Sequence, residues 1–466
     1  MHRVIVAALG GLLVAGRVSA FDPLATAEAL RKDLPGFVDP LGRVCEPPQG
    51  ALSLSAAVDL ALCRNPTTRA TWAAARQQAA ALGSAESAWL PSIAASASDT
   101  WERGQRVDVT GGLIGATQRT TDAAVNLSWT LYDFGARGGR IASARHLLDA
   151  AALNASSTMQ RVILAVVQGY YGIVAADADF AAAKVNEAAA ERSLEVARAK
   201  QGAGVSTLAD VLQAETAYDQ AVLARVQADG SVKSSRGTLA VALGVAANQP
   251  FTLTPQPVPA ELPGLTTRIA DLLAEAERQR PDLAAARAQS DAARAGVTVA
   301  RAAGLPTITI GAGRNFVDES GLAPHQNYNT IGVSVSIPIF TGFSTTYGVR
   351  HAKAALEAAE ADAEQVRLAV SLDVWNAYYS LETAIQQLTA TQSLLKAAAS
   401  NQEVAIGRYE AGVGTIVDVL TAQSAASSAR IQRVGAEYGW QVARAQLALA
   451  LGRLTSAEPL AASSNP

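Results

Sequence analysis

The sequence carries one long unit twice. Tyr170-Tyr171 returns as Tyr378-Tyr379, and Leu243-Gly244 returns as Leu451-Gly452. Between them, Ala203-Gly204-Val205-Ser206-Thr207-Leu208-Ala209-Asp210-Val211-Leu212 returns as Ala411-Gly412-Val413-Gly414-Thr415-Ile416-Val417-Asp418-Val419-Leu420. All three matches share an offset of 208 residues. Pro66 and Pro91 are likewise matched by Pro281 and Pro306, with equal spacing inside each pair. A repeat covering nearly half the chain excludes a short-period solenoid. It implies one structural path, run twice.

Each copy reads in the same order. Leu54–Trp89 is helical and Ala-rich, interrupted at Asn65-Pro66 and ended by Pro91. Ser92–Trp101 is strand-like, and a Gly- and Thr-rich loop containing Gly111-Gly112 and Gly115 follows. Val125, Leu127, Trp129 and Leu131 then alternate with polar residues, a period-two strand. From about Arg140 to Lys200 the pattern is helical without proline, roughly 90 Å at 1.5 Å per residue. Gly202 and Gly204 break it, and a second helix runs from Leu208 to Leu243. Val211, Tyr218, Val222 and Val226 give that helix a coiled-coil-like face. The proline-rich stretch 250–267 is a connector. In the second copy, Arg268–Ala303 is helical, Thr307–Ile310 and Ile331–Ile339 alternate around a polar loop (Asn315–Asn329), and helices run to Tyr409 and from Thr415 to Leu451. The organisation is therefore 1–20, 21–50, first repeat 51–249, connector 250–267, second repeat 268–452, and a small polar tail 453–466.

Apolar residues make up 49% of the chain but aromatics only 5%, which favours close-packed helices over a bulky core. Arg3, the apolar run Val4–Val14, and Val18-Ser19-Ala20 form a secretory signal cleaved after Ala20. No other run approaches the roughly 20 apolar residues of a membrane-spanning helix. Loss of Arg3 and Arg17 moves the formal charge from −3 to −5, which argues against nucleic acid. In an exported chain, Cys45 and Cys63 are expected to form a disulfide, with two buried thiols as the alternative. The four histidines are scattered, so no metal site or cofactor is expected, and no catalytic set emerges.

The strands have one apolar face and one Ser, Thr, Gly or Asn face. In a membrane barrel such faces meet lipid and lumen respectively. Four strands cannot close alone, and open edges are not tolerated in lipid. Closure needs several chains, and the helices, too long and polar for the bilayer, must project from it.

This layout resembles the TolC family of outer-membrane efflux and secretion channels. The residues that carry the resemblance are the paired Gly-Val-x-Thr-x-x-Asp segments, Leu131-Tyr132-Asp133-Phe134-Gly135, Ile339-Phe340-Thr341-Gly342, and the duplicated Leu-Gly helix ends. The resemblance implies an α+β membrane protein: a homotrimer whose 12-stranded β-barrel, four strands per chain, continues into a periplasmic α-helical barrel. Cys45 and the run Leu62-Cys63-Arg64-Asn65-Pro66 resemble the branch serving type I protein secretion. The implied partners are a periplasmic adaptor (membrane fusion protein), an inner-membrane ABC transporter, secreted protein cargo and outer-membrane lipid.

The two turns carry the candidate site. Gly204 and Gly412 suit left-handed helix ends, and Thr207 and Thr415 suit N-caps. Asp210 and Asp418, three residues on, complete a capping-box-like pattern. The resemblance adds a second role. It makes Gly204, Val205, Thr207, Asp210, Gly412, Val413 and Thr415 the tips that meet the adaptor, and Asp418, Thr421, Tyr409 and Gly414 the periplasmic aperture. Drug-efflux relatives carry a second acid where this chain has Thr421 and an arginine where it has Gly414. A ring of Asp418 would still attract cations. Trp129 and Tyr132 suit either an aromatic girdle or junction packing, and the two Tyr-Tyr pairs suit helix packing. The competing functions are protein secretion, small-molecule efflux, and a structural or adhesive surface coiled coil.

Overall fold

A computed structural model describes residues 22–26, 51–107, 111, 113–254, 268–319 and 326–455. The expected signal sequence, Cys45 and hence its pairing with Cys63, Gly112, and most of the connector and tail lie outside the described residues. In chain order the elements are β1 (Ala51–Leu52), α1 (Leu54–Arg64), α2 (Pro66–Glu86), a 3-10 turn, β2 (Ser92–Val107) and β3 (Leu113–Tyr132). Next come α3 (Ala136–Gly202), α4 (Leu208–Ala242), β4 (Thr252–Leu253), α5 (Ile269–Gln279) and α6 (Pro281–Ala302). The chain finishes with β5 (Thr307–Glu319), β6 (Gln326–Ser336), α7 (Ser344–Glu410) and α8 (Ile416–Ala450). The bounds of α3 and α4 recur in α7 and α8 at the 208-residue offset, with 67 and 35 residues in each copy.

The chain divides into two compact units that cut across the repeats. Among the described residues, the first comprises 22–26, 74–152 and 286–363. Its centre is an antiparallel sheet in the order β2-β3-β5-β6. In register, Ile93, Leu127, Ala312 and Ile331 form one row across all four strands. Ser92, Ser128, Gly311 and Gly332 form the next row, on the opposite face. Both faces are largely exposed in the single chain. The strands are longer than their alternation suggests. Residues 102–107 and Gly115 belong to a hairpin, as do Asn315–Glu319 and Gln326–Asn329, because cross-strand pairing satisfies the backbone of polar residues as well as apolar ones. On β2 and β3, Asp99 accepts two hydrogen bonds from Arg119 at 3.0 and 2.8 Å. Ile337 and Ile339 fall outside β6. The pairing ends at Thr307↔Ser336 because Pro306, which precedes β5, has no N–H to offer.

Each hairpin pair leads into a long helix through a sharp turn. Phe134 and Gly135 both have positive φ, as do Gly342 and Phe343. At the first turn Asp133 accepts from the backbone N–H and the guanidinium of the buried Arg137, at 2.9 and 3.0 Å. The same guanidinium donates to the carbonyl of Leu131 and lies over the Trp89 ring. The Trp129 indole N–H donates to the Trp89 carbonyl at 2.9 Å, which ties the end of β3 to the 3-10 turn and leaves the ring 40% exposed. In the second copy Thr341 and Thr345 replace the ion pair with a 3.1 Å hydroxyl contact.

The second unit comprises, among the described residues, 51–73, 153–285 and 364–455. It has two matched cores. Val162, Val166 and Tyr170 pack with Leu54, Val58, Leu239 and Leu243. Val370 and Val374 pack with Leu272, Leu283, Trp440 and Leu451. α3 is long and apolar enough to cross a membrane by length and composition, unlike the reading of the sequence, but half of that stretch is buried. Val162, Ile163, Val166 and Val167 supply its apolar character, and all four lie in the core. Parallel pairing of β1 with β4, two residues each, also escapes the sequence. Tyr170 anchors it by donating to the Thr254 carbonyl.

The duplicated Leu-Gly ends explain themselves here. Gly244 (φ 74°) and Gly452 (φ 76°) end α4 and α8 in the left-handed region. Each lies against the backbone at a proline break. A Cβ on Gly244 would stand 2.8 Å from Arg64 and Asn65, and one on Gly452 would stand 2.8 Å from Gln279. Asn65 and Arg280 add hydrogen bonds to the carbonyls of Ala242 and Ala450. Gly204→Ala meets open space and only the cost of positive φ, roughly 1–2 kcal/mol. Gly244→Ala adds a backbone clash, so its thermal midpoint is expected to fall several degrees further than that of Gly204→Ala. Equal midpoints would contradict this packing.

Candidate functional site at the paired turns

The turn between α3 and α4 and the turn between α7 and α8 are built alike. At the first, Gly204 (φ 77°) ends the helix, and Val205 N–H reaches back to the Lys200 carbonyl at 3.0 Å. At the second, Gly412 (φ 79°) and Val413 N–H to the Arg408 carbonyl, 2.9 Å, repeat it. This hydrogen-bonded ending uses glycine because a side chain disfavours left-handed backbone. Val205 and Val413 are left exposed.

The returning helices begin with full capping boxes. Thr207 accepts from Asp210 N–H, and the Asp210 carboxylate accepts from Thr207 N–H at 2.9 Å. Thr415 and Asp418 make the same exchange, with the carboxylate accepting at 3.1 Å. The copies differ in one bond. Ser206 donates to Asp210 at 2.8 Å, whereas Gly414 has no side chain to do so for Asp418. Hydrogen bonds from Thr207 N–H, then from the hydroxyls of Ser206 and Thr207, hold Asp210 below the usual carboxylate range. Asp418 is lowered by Thr415 N–H, then the Thr415 hydroxyl, with Arg408 contributing.

Between the two helical hairpins lies a small core of Leu194, Ala197, Val211, Ala214, Tyr409, Ile416 and Val419. Tyr409 is 7% exposed in the single chain, and its ring packs within this core. Burial, then the charge of Asp210, raises its pKa. Lys200 fastens it from the first hairpin. The ammonium lies 3.8 Å from the centroid of the Tyr409 ring and also donates to the Tyr409 carbonyl. Further along, Gln423 donates to the Ser193 hydroxyl at 2.8 Å and so joins α8 to α3. Neither Lys200 nor Gln423 stands out in the sequence. Lys200 was recoverable from the repeat, because Arg408 occupies its duplicate position at the other helix end.

Thr421 and its duplicate Gln213 line one open groove between α4 and α8, about 670 Å³ in volume. Its other walls include Asn186, Gln220, Gln423 and Ser427, with no charged residue. Gly414 is crowded, since a Cβ there would stand 3.1 Å from Tyr409 N. The structure thus brings Tyr409 and Gly414 together, puts Thr421 in the groove, and leaves Asp418 exposed at the helix start.

Residues 57–245 and 272–453 match the family described as outer membrane efflux protein. The chain belongs to that family. Protein CyaE of Bordetella pertussis is 34% identical over 431 residues, covering 91% of this chain and 89% of that protein. Outer membrane protein TolC of Vibrio cholerae serotype O1 is 27% identical over 392 residues, covering 82% and 87%. The solved outer-membrane channel OprN has the same fold, with a TM-score of 0.77 at 23% identity over 86% of this chain and 89% of its own. As an outer membrane efflux protein, the chain resides in the outer membrane of a Gram-negative bacterium, with its helical part in the periplasm.

The caps set the local stability of the tips. Thr207→Ala and Thr415→Ala are each expected to weaken their helix start by about 1 kcal/mol. Amide exchange should quicken over residues 208–212 and 416–420 respectively and stay unchanged elsewhere. Acid has the same sign. Both aspartates are depressed in the folded chain, so the caps are intact above the ordinary carboxylate range and fade as pH falls through the lower folded values. Exchange at the tips that is insensitive to both changes would contradict the capping role.

Proposed function

We infer that this chain is the outer-membrane exit duct of a tripartite export machine that secretes a protein across the outer membrane. It works as a homotrimer, with a periplasmic adaptor and an inner-membrane ABC transporter supplying the energy. The observation that carries the reading is the sheet: four strands, one apolar face, and two open edges, joined to helical hairpins of 67 and 35 residues. Three copies supply twelve strands, which closes the edges.

The sheet fits a bilayer in height. Trp101, unremarked in the sequence, pairs with Arg119 on the same face as Ile93 and Leu127, and Arg119 stacks on it at 5.3 Å. From Arg119 to Trp129 the strand advances about 33 Å at 3.3 Å per residue. A tilt near 45° reduces this to about 23 Å, close to the roughly 25 Å apolar band of such barrels. The two tryptophans thus fit the two interfaces.

The tips support the choice of cargo. The resemblance places a second acid and an arginine in drug-efflux relatives where this chain has Thr421 and Gly414. An uncharged groove and one aspartate per turn form a lighter latch, which suits passage of a polypeptide. Asp418, the exposed acid of the second turn, is the aperture residue. Asp418→Ala is expected to alter cation block or selectivity in bilayer recordings, with little change for Asp210→Ala. Equal, negligible effects would leave both aspartates as caps alone. The partner decides the cargo: cross-linking from Val205 or Val413 in cells is expected to recover an adaptor with an ABC transporter. Recovery of a proton-driven exporter would instead indicate small-molecule efflux.

A further inference from the structure

The repeat places one device twice at the end of the sheet away from the helices. Pro91 and Pro306 stand just before β2 and β5. Ten residues after each comes an aromatic residue, Trp101 on β2 and Phe316 on β5. Both belong to the face of Ile93 and Leu127, since Trp101 pairs with Arg119 and Phe316 with Ala123. Equal spacing puts both about 33 Å along their strands from the helical end, or about 23 Å in height at a tilt near 45°. Each ring has an arginine over it. The Arg119 guanidinium lies 5.3 Å from the centroid of the Trp101 ring, and that of Arg314 lies 5.0 Å from that of Phe316.

The apolar run of this face stops at the same end. On β3 it continues from Leu131 through Ala123 and gives way to Thr121 and Arg119. On β5 it ends at Ala312, before Arg314, and on β6 at Ile331, before Asn329. On β2 Trp101 is followed outward by Arg103, which lies diagonal to Arg119 at roughly 8 Å. Arginines thus rim a face that is otherwise aliphatic. Two carboxylates share the rim. Asp99 is taken up by Arg119 through both oxygens, and Asp318 stands opposite Thr121. Arg103 and Arg314 are exposed, and neither has a carboxylate partner among the described residues.

An arginine on the lipid face of a barrel is costly near the midplane and tolerated at the interface. The long stem of Arg314 lets its head reach outward to the level of Phe316. A guanidinium stacked on a ring still directs its edge N–H groups sideways, and their fork fits the oxygens of a phosphate. Aromatic rings suit the headgroup level. The helical part lies in the periplasm, so this rim lies in the outer leaflet. The lipid of that leaflet is a glycolipid with phosphates on its sugars, which supplies the anion that the sheet does not.

We propose that the two devices, Trp101 and Arg119 with Arg103 beside them, and Phe316 with Arg314, bind headgroup phosphates of the outer-leaflet glycolipid. The proposal rests on the reading of the sheet as a barrel wall. The test titrates the full-length protein in detergent with diphosphoryl lipid A and with the same lipid stripped of its phosphates, and counts bound lipids by native mass. The phosphorylated lipid is expected to bind about tenfold more tightly. Arg103→Gln with Arg314→Gln is expected to remove that preference, and Arg103→Lys with Arg314→Lys to keep most of it. Inorganic phosphate at the same concentration is expected to leave the lipid bound. Equal affinity for the two lipids, a preference that survives the glutamine pair, or displacement by inorganic phosphate would overturn the site. Bilayer recordings on the same preparation separate the two readings. A protein that conducts without lipid preference overturns the site alone, whereas one that never conducts overturns the barrel wall beneath it.

Discussion

A strand in lipid has no water to bond its backbone, so every strand there needs two neighbours. Among the described residues, β2 pairs only with β3 and β6 only with β5. That shortfall governs the rest of the reading. On the proposed reading it leaves one chain incomplete and makes the number of copies a property of function. On the same reading, aliphatic side chains on one face and Ser or Gly on the other are the two walls of a barrel.

The helices meet the opposite requirement. Their backbones satisfy themselves, and what they lack is cover for side chains. The duplication solves half of this inside the chain, where α8 covers α3 through Gln160, Tyr171 and Ser193. Glycines 244 and 452 hold the helix ends tight against the breaks before Pro66 and Pro281. The tips use the same economy of parts: glycine to end one helix, Thr and Asp to start the next, and a lysine from one hairpin to hold a tyrosine of the other. The copies diverge where that fastening is made, at Ser206 and Gly414 and at Gln201 and Tyr409.

Much of this was legible in the sequence because helices and turns are written locally. Proline breaks, glycine ends and Thr-x-x-Asp starts each depend on a few adjacent residues, and they fall where expected. The strands reach further at their outer ends than the sequence shows, since Glu102 and Arg119 look like loop until a partner strand supplies their pairing. The end of β6 was over-read, since alternation through Ile339 does not show that a partner is lacking there. In the tips, the caps were legible and the fastening was not. The contacts of Lys200 with Tyr409 and of Gln423 with Ser193 join residues more than 200 positions apart, and only the fold brings them together. Tyr409 is likewise visible in the sequence as a helix-end residue, but its burial in the core between the hairpins is not.

The central claim is that one chain is a third of the functional object. Native mass measurement of the protein in detergent, on the same preparation that is inserted into planar bilayers, tests it most directly. Three copies per particle, with single-channel conductance, is the predicted result. A folded single chain, or a trimer that carries no current, would contradict the account.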